Sequence, residues 1–300
     1  MNYLITGGAG FIGSNIVDFL IKQDHTVIVI DNLSSDAHDN FYFNNNAIYY
    51  KYDILDYIMC SDVFNKHKPD VVLHLAAEAR IQNCILDPIK AFEVNSLGTV
   101  NLLELSKKYK VKRLVLSSTS AIYGLKNTIQ IETAEPDCLN PYALSKLSSE
   151  QWCKLYSKNY NIDTVCLRYF NVYGPRNPSK GQYAPVIGVF KKQKEEGNCL
   201  TIVGDGDQTR DFIHVDDVVE INYLASISDK NFNGEIFNVG TGKSYSINNI
   251  AYKIQQDKHK HVYLPQRCGE ARHTCANIEK TSNWFGWSPS VDLINWLDIN

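Results

Sequence analysis

Several features that would assign a class of protein at once are missing from this 300-residue sequence. No stretch approaches the roughly 20 apolar residues of a membrane-spanning helix, and a net charge of −3 gives no basic surface for nucleic acid. The eight cysteines are scattered without a CxxC pair, which argues against a structural metal and a disulfide framework. The remaining composition, 44% hydrophobic and 21% charged residues, predicts a soluble globular protein without nucleic-acid or membrane partners.

The start of the sequence also leaves little room for a targeting segment. A short apolar run, Tyr3-Leu4-Ile5, predicts a strand almost at once, so no secretory signal peptide is expected. In a secreted protein, so many cysteines would be expected to pair. The sequence therefore predicts a cytoplasmic protein with reduced thiols.

Residues 2–31 carry the first positive signal. The apolar run is followed by Gly7, Gly10 and Gly13, a spacing that allows a tight turn and lets bare backbone approach a pyrophosphate at a helix N-terminus. A helical apolar face comes next, and the following strand-like run ends at Asp31. Because a carboxylate there accepts both hydroxyls of an adenosine ribose and repels a 2′-phosphate, the sequence predicts NAD rather than NADP as the cofactor.

Strands and helices alternate along much of the chain. This rhythm predicts an α/β fold with a Rossmann-type, doubly wound parallel sheet and with ligands at the carboxyl ends of its strands. Further strands are predicted at 48–52, 71–74, 111–116, 164–169 and 235–239, and helices at 56–67 and 88–109.

The character of the sequence changes at Gly174, where a Gly/Pro-rich loop begins. The stretch from Leu200 to Asp211 then predicts a strand followed by a turn. We therefore expect an NAD-binding domain at 1–170, with later sheet elements from about 212–240, and a smaller, interleaved C-terminal substrate lobe at 171–300.

A second motif supplies chemistry. Asn140 and Pro141 predict the start of a helix, with Asn140 as its N-cap. Tyr142 and Lys146 are four residues apart and therefore share one helix face. An ammonium there can lower the pKa of a phenol from ~10 toward neutrality, which predicts Tyr142 as a general base. Since YxxxK also occurs by chance, the pair needs support from elsewhere.

That support comes from residues 117–124, Ser-Ser-Thr-Ser-Ala-Ile-Tyr-Gly, which place hydroxyl groups at the carboxyl end of a predicted strand. Together with the Gly-rich turn, Asp31 and the Tyr-Lys pair, this segment resembles the extended short-chain dehydrogenase/reductases, and the sugar-nucleotide 4-epimerases in particular. The resemblance covers nearly the whole chain. Other segments that resemble the family are 168–176, 204–217, 238–242 and 267–277.

The resemblance implies a role for individual residues. Tyr142 is similar to the catalytic base, Lys146 to the partner that lowers its pKa and holds the nicotinamide ribose, and Thr119 to the hydroxyl that hydrogen-bonds the sugar 4-OH. Asn171, Arg210 and Arg267 match residues that grip the nucleotide diphosphate, as suits guanidinium groups. The positions that match the family's NAD-binding residues are Gly7, Gly10, Phe11, Ile12, Gly13, Asp31, Asn32, Asp53, Ile54, Leu75, Ala77, Asn95, Ser117, Tyr142 and Lys146.

The mechanism implied is redox-neutral. Tyr142 removes the 4-OH proton as hydride passes from C4 to NAD⁺, the 4-keto sugar turns over, and hydride returns to the other face. Related 4,6-dehydratases and uronate decarboxylases place acidic residues where this chain has Ser120 and Ala121. The chain therefore lacks the acidic side chains that dehydration and decarboxylation would use. A net oxidoreductase that releases the 4-keto sugar remains an alternative, because it would use the same Tyr142 and Lys146. An NAD-binding protein without catalysis is disfavoured, since the pair is kept.

The choice of sugar rests on residues 269–277. In the family that this segment resembles, it forms one wall of the sugar pocket, and the position of Thr274 sets the room beside the group at C2. A bulky aromatic there restricts the pocket to glucose and galactose. Thr274 is small, which predicts interconversion of UDP-N-acetylglucosamine and UDP-N-acetylgalactosamine. A UDP-glucose or UDP-uronate 4-epimerase is the alternative.

Two further points follow from the resemblance. It implies a homodimer in which helices 88–109 and 142–159 pair with their symmetry mates as a four-helix bundle, and Leu147 and Leu155 add apolar surface beyond what the sheet needs. By contrast, the segment from Glu78 to Gln82 departs from the common epimerases, and the sequence leaves open whether Arg80 meets sugar or solvent.

Overall fold

The computed structural model describes residues 1–35, 40–125, 129–179 and 184–299. Residues 180–183 of the predicted Gly/Pro-rich loop lie outside the described residues. The strands are β1 (Asn2–Thr6), β2 (Thr26–Ile30), β3 (Ile48–Tyr50), β4 (Val71–His74), β5 (Arg113–Thr119), β6 (Asp163–Tyr169), β7 (Asn171–Tyr173), β8 (Leu200–Val203), β9 (Thr209–His214), β10 (Glu235–Val239), β11 (Ser244–Ser246) and β12 (His261–Leu264). The helices are α1 (Phe11–Lys22), α2 (Tyr57–His67), α3 (Ile81–Leu86), α4 (Pro88–Phe92), α5 (Gly98–Lys108), α6 (Pro141–Tyr160), α7 (Val186–Glu195), α8 (Val215–Ile227), α9 (Ile247–Ile254), α10 (Glu279–Phe285) and α11 (Leu293–Ile299).

A seven-stranded parallel sheet forms the centre of the molecule, in the order β10-β6-β5-β4-β1-β2-β3. The predicted doubly wound α/β fold is therefore confirmed. Its inner strands are almost continuous apolar runs because both faces of the sheet are covered. The strand order reverses between β1 and β4, and a crevice for ligands is expected at the carboxyl ends of these two strands.

Each face of the sheet packs on its own layer of helices. Helices α1 and α8 cover one face, while α2, α5 and α6 cover the other. Successive side chains of a strand point to opposite faces, and β5 shows this clearly. Val115 lies in the core under α1 and α8, whereas Leu114 and Leu116 lie in the core under α6. The side chain of the next even residue, Ser118, therefore points toward α6.

Two predicted elements differ in detail. The helix expected at 88–109 is interrupted, because α4 passes through a π-helical turn at Glu93–Leu97 before α5 begins. Strand β5 is longer than predicted and runs to Thr119, because the register with β6 continues from Ser117 opposite Leu167 to Thr119 opposite Tyr169. The hydroxyl cluster therefore begins inside the sheet.

The part of the chain predicted as a substrate lobe contains a smaller core. A three-stranded sheet, in the order β11-β9-β7, and the parallel pair β12-β8 pack with α7, α9 and α11. The stretch from Leu200 to Asp211, predicted as a strand and a turn, contains β8 and the first half of a second strand, β9. Within the described ranges, no helix combines the length and apolar character needed to cross a membrane.

Candidate active site

The turn between β1 and α1 is shaped to admit a phosphate group. Gly7 has a φ of +71°, and a Cβ added there would lie 2.8 Å from the backbone nitrogen of Ala76 at the end of β4. A Cβ on Gly13 would lie 2.2 Å from the carbonyl oxygen of Gly7. Gly10 is the N-cap of α1 and offers no side-chain cap, so the first N–H groups of the helix remain for an anion.

A cavity of about 620 Å³ opens at this turn, along the carboxyl ends of the central strands. Among the predicted NAD-binding residues, those that line it are Gly7, Gly10, Phe11, Ile12, Gly13, Asp31, Asn32, Asp53, Ile54, Leu75, Ala77, Ser117, Tyr142 and Lys146. The structure thus brings together residues from six separate segments of the chain.

The carboxylate of Asp31 is held at the end of β2. One oxygen accepts a hydrogen bond from the Ala9 backbone nitrogen at 3.0 Å, and the other accepts from the Leu33 nitrogen at 2.9 Å. Because each carboxylate oxygen can accept more than one hydrogen bond, the group can still receive the two hydroxyls of a ribose. The bare Gly turn, the helix N-terminus and this carboxylate fit NAD.

Asn95 is the one predicted NAD-binding residue that does not line the described part of this cavity. It is 1% exposed and lies in the π-helical turn. Its Oδ1 accepts from the Glu78 backbone nitrogen at 2.8 Å, while its Nδ2 donates to the Glu78 oxygen at 3.0 Å and to Ser145 Oγ at 2.9 Å. Its amide therefore ties the chain after β4 to α6, because the π turn directs it inward.

The predicted catalytic pair lies on the first turns of α6. Asn140 caps the helix as predicted, because its side chain accepts from the Ala143 nitrogen at 2.9 Å. Tyr142 faces Thr119 at the end of β5, close enough for the Thr119 side chain to lower the pKa of the phenol. Lys146 is 2% exposed and reaches the NAD cavity one turn further along.

Burial dominates the pKa of both members of this pair. It raises the pKa of Tyr142 to about 12, although the neighbouring Thr119 side chain acts to lower it. It lowers the pKa of Lys146 to about 8, against nearby groups that include Glu150. In the chain by itself, burial therefore has the largest influence on the pKa of Tyr142, and the lowering of that pKa by Lys146 stays a prediction.

A second cavity, of about 1230 Å³, lies between the sheet and the lobe. The predicted substrate residues Asn171, Arg210, Arg267 and Thr274 all line it. The two cavities share six lining residues, namely Ala79, Thr119, Tyr142, Tyr169, Phe170 and Ala184. The cavities thus meet at the Tyr142 and Thr119 hydroxyl groups.

The two arginines of the larger cavity flank one acid that the sequence analysis did not single out. Glu270 lies 3.7 Å from Arg210 Nη2 through one carboxylate oxygen and 3.7 Å from Arg267 Nη1 through the other. Burial lowers the pKa of Arg210, and its Nη1 donates to the backbone oxygen of Thr209 at 3.0 Å. The arginines therefore form a cationic wall whose geometry Glu270 helps to set.

Thr274 forms a small, fixed part of the same cavity. It is 7% exposed, and its hydroxyl oxygen accepts from the Asp211 backbone nitrogen at 3.2 Å. Asn171 Nδ2 lies 3.5 Å from the same oxygen and donates to the Asp211 oxygen at 3.0 Å. Because backbone and side-chain partners hold Thr274, its methyl group and hydroxyl set the shape of this wall.

The question left open for Arg80 has an answer in the structure. Arg80 lines the NAD cavity, together with Glu78 and Lys90, whereas its neighbours Ile81 and Gln82 line the larger cavity. Lys90 Nζ lies 3.8 Å from Glu78 Oε2. Arg80 therefore belongs to the cofactor side of the site.

Across the part of the chain that the structure describes, no cluster of three or more His, Cys, Asp or Glu side chains is arranged to hold a metal ion.

Comparisons with known proteins agree with this arrangement. The model of the NAD dependent epimerase/dehydratase family matches residues 3–240. A putative UDP-glucose 4-epimerase from Methanocaldococcus jannaschii is 37% identical over 309 aligned positions, which cover 99% of this chain and 98% of that protein.

Two solved structures are similar over almost the whole chain. The UDP-glucose 4-epimerase of Thermotoga maritima with UDP-glucose has a TM-score of 0.93 at 38% identity and covers 100% of this chain and 97% of its own. The UDP-N-acetylglucosamine 4-epimerase of Methanobrevibacter ruminantium, in complex with UDP-N-acetylmuramic acid, has a TM-score of 0.90 at 35% identity and covers 99% and 95%. The resemblance seen in the sequence is confirmed: this chain belongs to the NAD dependent epimerase/dehydratase family, and NAD is its cofactor.

Proposed function

We propose that this protein interconverts UDP-N-acetylglucosamine and UDP-N-acetylgalactosamine by NAD-dependent epimerisation at C4. That it is an NAD-dependent sugar-nucleotide 4-epimerase follows from its family and its near full-length similarity to such enzymes. The identity of the sugar is the proposal. Its main support is Thr274, a small side chain on the wall of the substrate cavity.

In this proposal the reaction takes place where the two cavities meet, at Tyr142 and Thr119. When bound, NAD supplies the acceptor and donor of hydride. Tyr142 takes the proton of the sugar 4-OH and later returns it, and Thr119, whose side chain lies beside the phenol, hydrogen-bonds the same 4-OH. Lys146 supplies the positive charge beside the phenol, since its pKa of about 8 keeps it mostly protonated at neutral pH.

The other proposed roles concern binding. Asn171, Arg210 and Arg267 hold the diphosphate, because guanidinium groups form paired hydrogen bonds to phosphate oxygens. A substrate held only through its diphosphate leaves the sugar free to rotate, so the 4-keto intermediate can present its other face. Rotation of the 4-keto sugar needs a cavity that is large around the sugar, and the volume of about 1230 Å³ provides this room.

A second candidate is a UDP-glucose 4-epimerase, because two of the similar proteins, those from Methanocaldococcus jannaschii and Thermotoga maritima, carry that name. The structure with UDP-N-acetylmuramic acid supports the N-acetylated sugar, because that relative is named as a UDP-N-acetylglucosamine 4-epimerase. UDP-uronate epimerisation and net 4-oxidation use the same catalytic pair and are tested at the same time.

The experiment is a substrate panel with the purified enzyme and NAD. UDP-N-acetylglucosamine, UDP-glucose, UDP-glucuronate and the corresponding GDP-sugars are incubated separately, and products are separated by chromatography while absorbance is followed at the NADH band. Formation of UDP-N-acetylgalactosamine without net NADH supports the proposal. Net accumulation of NADH would indicate a 4-oxidase, and an enzyme inert toward the N-acetylated sugar would contradict the proposed substrate.

A further inference from the structure

Glu150 is a buried acid that the proposed mechanism does not use. It lies one turn beyond Lys146 on α6 and is 1% exposed. Its Oε1 accepts a hydrogen bond from Ser118 Oγ at 2.5 Å and another from Arg168 Nε at 2.8 Å, and its Oε2 accepts from Arg168 Nη2 at 2.7 Å. A carboxylate with three charge-assisted or hydroxyl hydrogen bonds is held in one geometry.

The two partners of Glu150 sit at the same level of the central sheet. Ser118 and Arg168 are register partners on the neighbouring strands β5 and β6. Ser118 immediately precedes Thr119, whose hydroxyl faces Tyr142. The carboxylate of Glu150 therefore joins the helix that carries Tyr142 and Lys146 to the strand that carries Thr119.

Fold stability alone is a weak reason for a buried ion pair such as Glu150 and Arg168. Burying two charges costs desolvation energy that their attraction often fails to recover, and a well-packed apolar pair is frequently no less stable. Here the guanidinium of Arg168 lies 4.8 Å from the centre of the Tyr123 ring, in a fully buried setting. A charged pair kept at this position is consistent with a need for a fixed orientation.

We propose that Glu150 is a positioning residue, whose carboxylate fixes α6 against the ends of β5 and β6 and so sets the placement of Thr119 relative to Tyr142. The inference rests on the proposed roles of Tyr142 and Thr119. A displacement of about 1 Å between reacting groups can lower a rate by about two orders of magnitude.

The first test compares Glu150→Gln with the double variant Glu150→Gln/Arg168→Met in the NAD-loaded enzyme. Glu150→Gln leaves the buried charge of Arg168 unpaired and should lower the melting temperature. The double variant removes that charge as well and should recover most of the lost melting temperature. If Glu150 positions the catalytic helix, kcat falls by about 10- to 100-fold in both variants. The KM for the UDP-sugar and the Kd for NAD should stay within about threefold in both, because the pair touches neither cavity.

A matched control exists on the same two strands. Arg113 and Asp163 are also register partners of β5 and β6, at the opposite end of the strands, and Arg113 Nε donates to Asp163 Oδ2 at 2.7 Å. Asp163→Asn should lower the melting temperature but leave kcat within about twofold. If kcat returns to the wild-type value in the double variant, or if Asp163→Asn lowers kcat as much as Glu150→Gln does, Glu150 only stabilises the fold and the proposal is overturned.

Two further variants keep the outcome decisive. If the Glu150 variants do not fold, Ser118→Ala removes the link to β5, and its Kd for NAD is measured as well because Ser118 also lines the NAD cavity. A drop in kcat of about 10-fold at an unchanged Kd for NAD supports the proposal. An unchanged kcat, or a drop that comes with weaker NAD binding, overturns it. Tyr142→Phe separates the two levels of inference. Should Tyr142→Phe retain activity, the proposed catalytic site itself fails, whereas an inactive Tyr142→Phe beside a fully active Glu150→Gln removes the positioning role alone.

Discussion

Tyr142 and Lys146 lie one turn apart on the same face of α6, and burial opposes the charged form of both side chains. The pKa of the phenol rises to about 12 and that of the amine falls to about 8. At neutral pH the chain therefore holds a protonated phenol beside a mostly protonated lysine. A buried positive charge of this kind has a cost to folding, and that cost can be measured.

The first prediction is that Lys146→Met stabilises the NAD-free protein at neutral pH. The folded-state pKa of about 8 lies below the ordinary value of 10.5, so the unfolded chain binds more protons between these two values. Below pH 8 the buried ammonium costs about 3 kcal/mol of unfolding free energy, an order-of-magnitude figure, and the cost disappears as the pH rises to 10.5.

The measurement is the free energy of unfolding of both proteins by urea, from pH 7 to 10.5. Other groups titrate in wild type and variant alike, so the difference between the two isolates Lys146. The variant's advantage should shrink steadily above pH 8. A difference that stays constant over this range would show that Lys146 is not desolvated as the structure indicates.

A second prediction concerns Tyr142 as the base. Tyr142→Phe removes only the hydroxyl, so NAD binding should be nearly unchanged while kcat falls by about 10²- to 10⁴-fold, because the proton transfer is lost. Tyr169→Phe is the matched control, since Tyr169 lines both cavities but donates its hydroxyl to Asn222 at 2.9 Å. Retention of more than a tenth of the wild-type activity by Tyr142→Phe would remove this residue from the role.

Much of the cofactor cavity could be predicted from sequence for a simple physical reason. Gly7, Asp31 and Leu75 each stand just beyond the end of an apolar strand, Ser117 lies near the end of β5, and a parallel sheet brings those ends to one edge. Asn95 has no such marker. It lies in the π-helical turn that interrupts the long helix and packs against α6, and helical spacing in the sequence does not predict such a turn.

Near the catalytic pair, the features that could not be predicted from the sequence depend on long-range packing. Helical spacing predicts that Tyr142 and Lys146 are neighbours, but it carries no information on desolvation, which dominates both pKa values. Nor does any local pattern indicate that Glu150 meets Ser118 and Arg168, because these residues come from three segments. Contacts of this kind appear only once the sheet register is known.

A third prediction is that the enzyme is a homodimer formed through α3 to α6. These helices pack together and expose a run of large apolar side chains, whose members are Ile85, Leu86, Ile89, Phe92, Leu97, Leu144, Trp152 and Leu155. Apolar surface of this extent favours association with a second copy. Sedimentation at micromolar concentration should give the mass of two chains for the wild type.

The same experiment with variants locates the interface. Phe92→Asp and Leu155→Asp each place a charge in the exposed apolar run, and the double variant should sediment as a monomer. Tyr263→Asp is the control, because Tyr263 is a similarly exposed aromatic on the substrate lobe, 55% accessible. A monomeric wild type contradicts the dimer, and a dimer that survives the double variant places the interface elsewhere.

The last prediction tests how the enzyme selects its sugar. Thr274→Tyr adds an aromatic ring to the wall of the substrate cavity, where Thr274 is held by the Asp211 backbone and approached by Asn171. If the room beside this wall accepts the acetamido group at C2, the ring overfills it, and kcat/KM for UDP-N-acetylglucosamine should fall by about 100-fold. The smaller 2-hydroxyl of UDP-glucose should lose far less. Thr274→Val keeps the volume and removes only the hydroxyl, so it separates the effect of size from that of the hydrogen bond to Asp211. It should leave the ratio of kcat/KM for the two substrates unchanged. Equal losses on both sugars in Thr274→Tyr would mean that the new ring disturbs the binding of the diphosphate instead, because Asn171 is a proposed diphosphate residue and also lies next to Thr274. Another part of the cavity would then determine the choice of sugar.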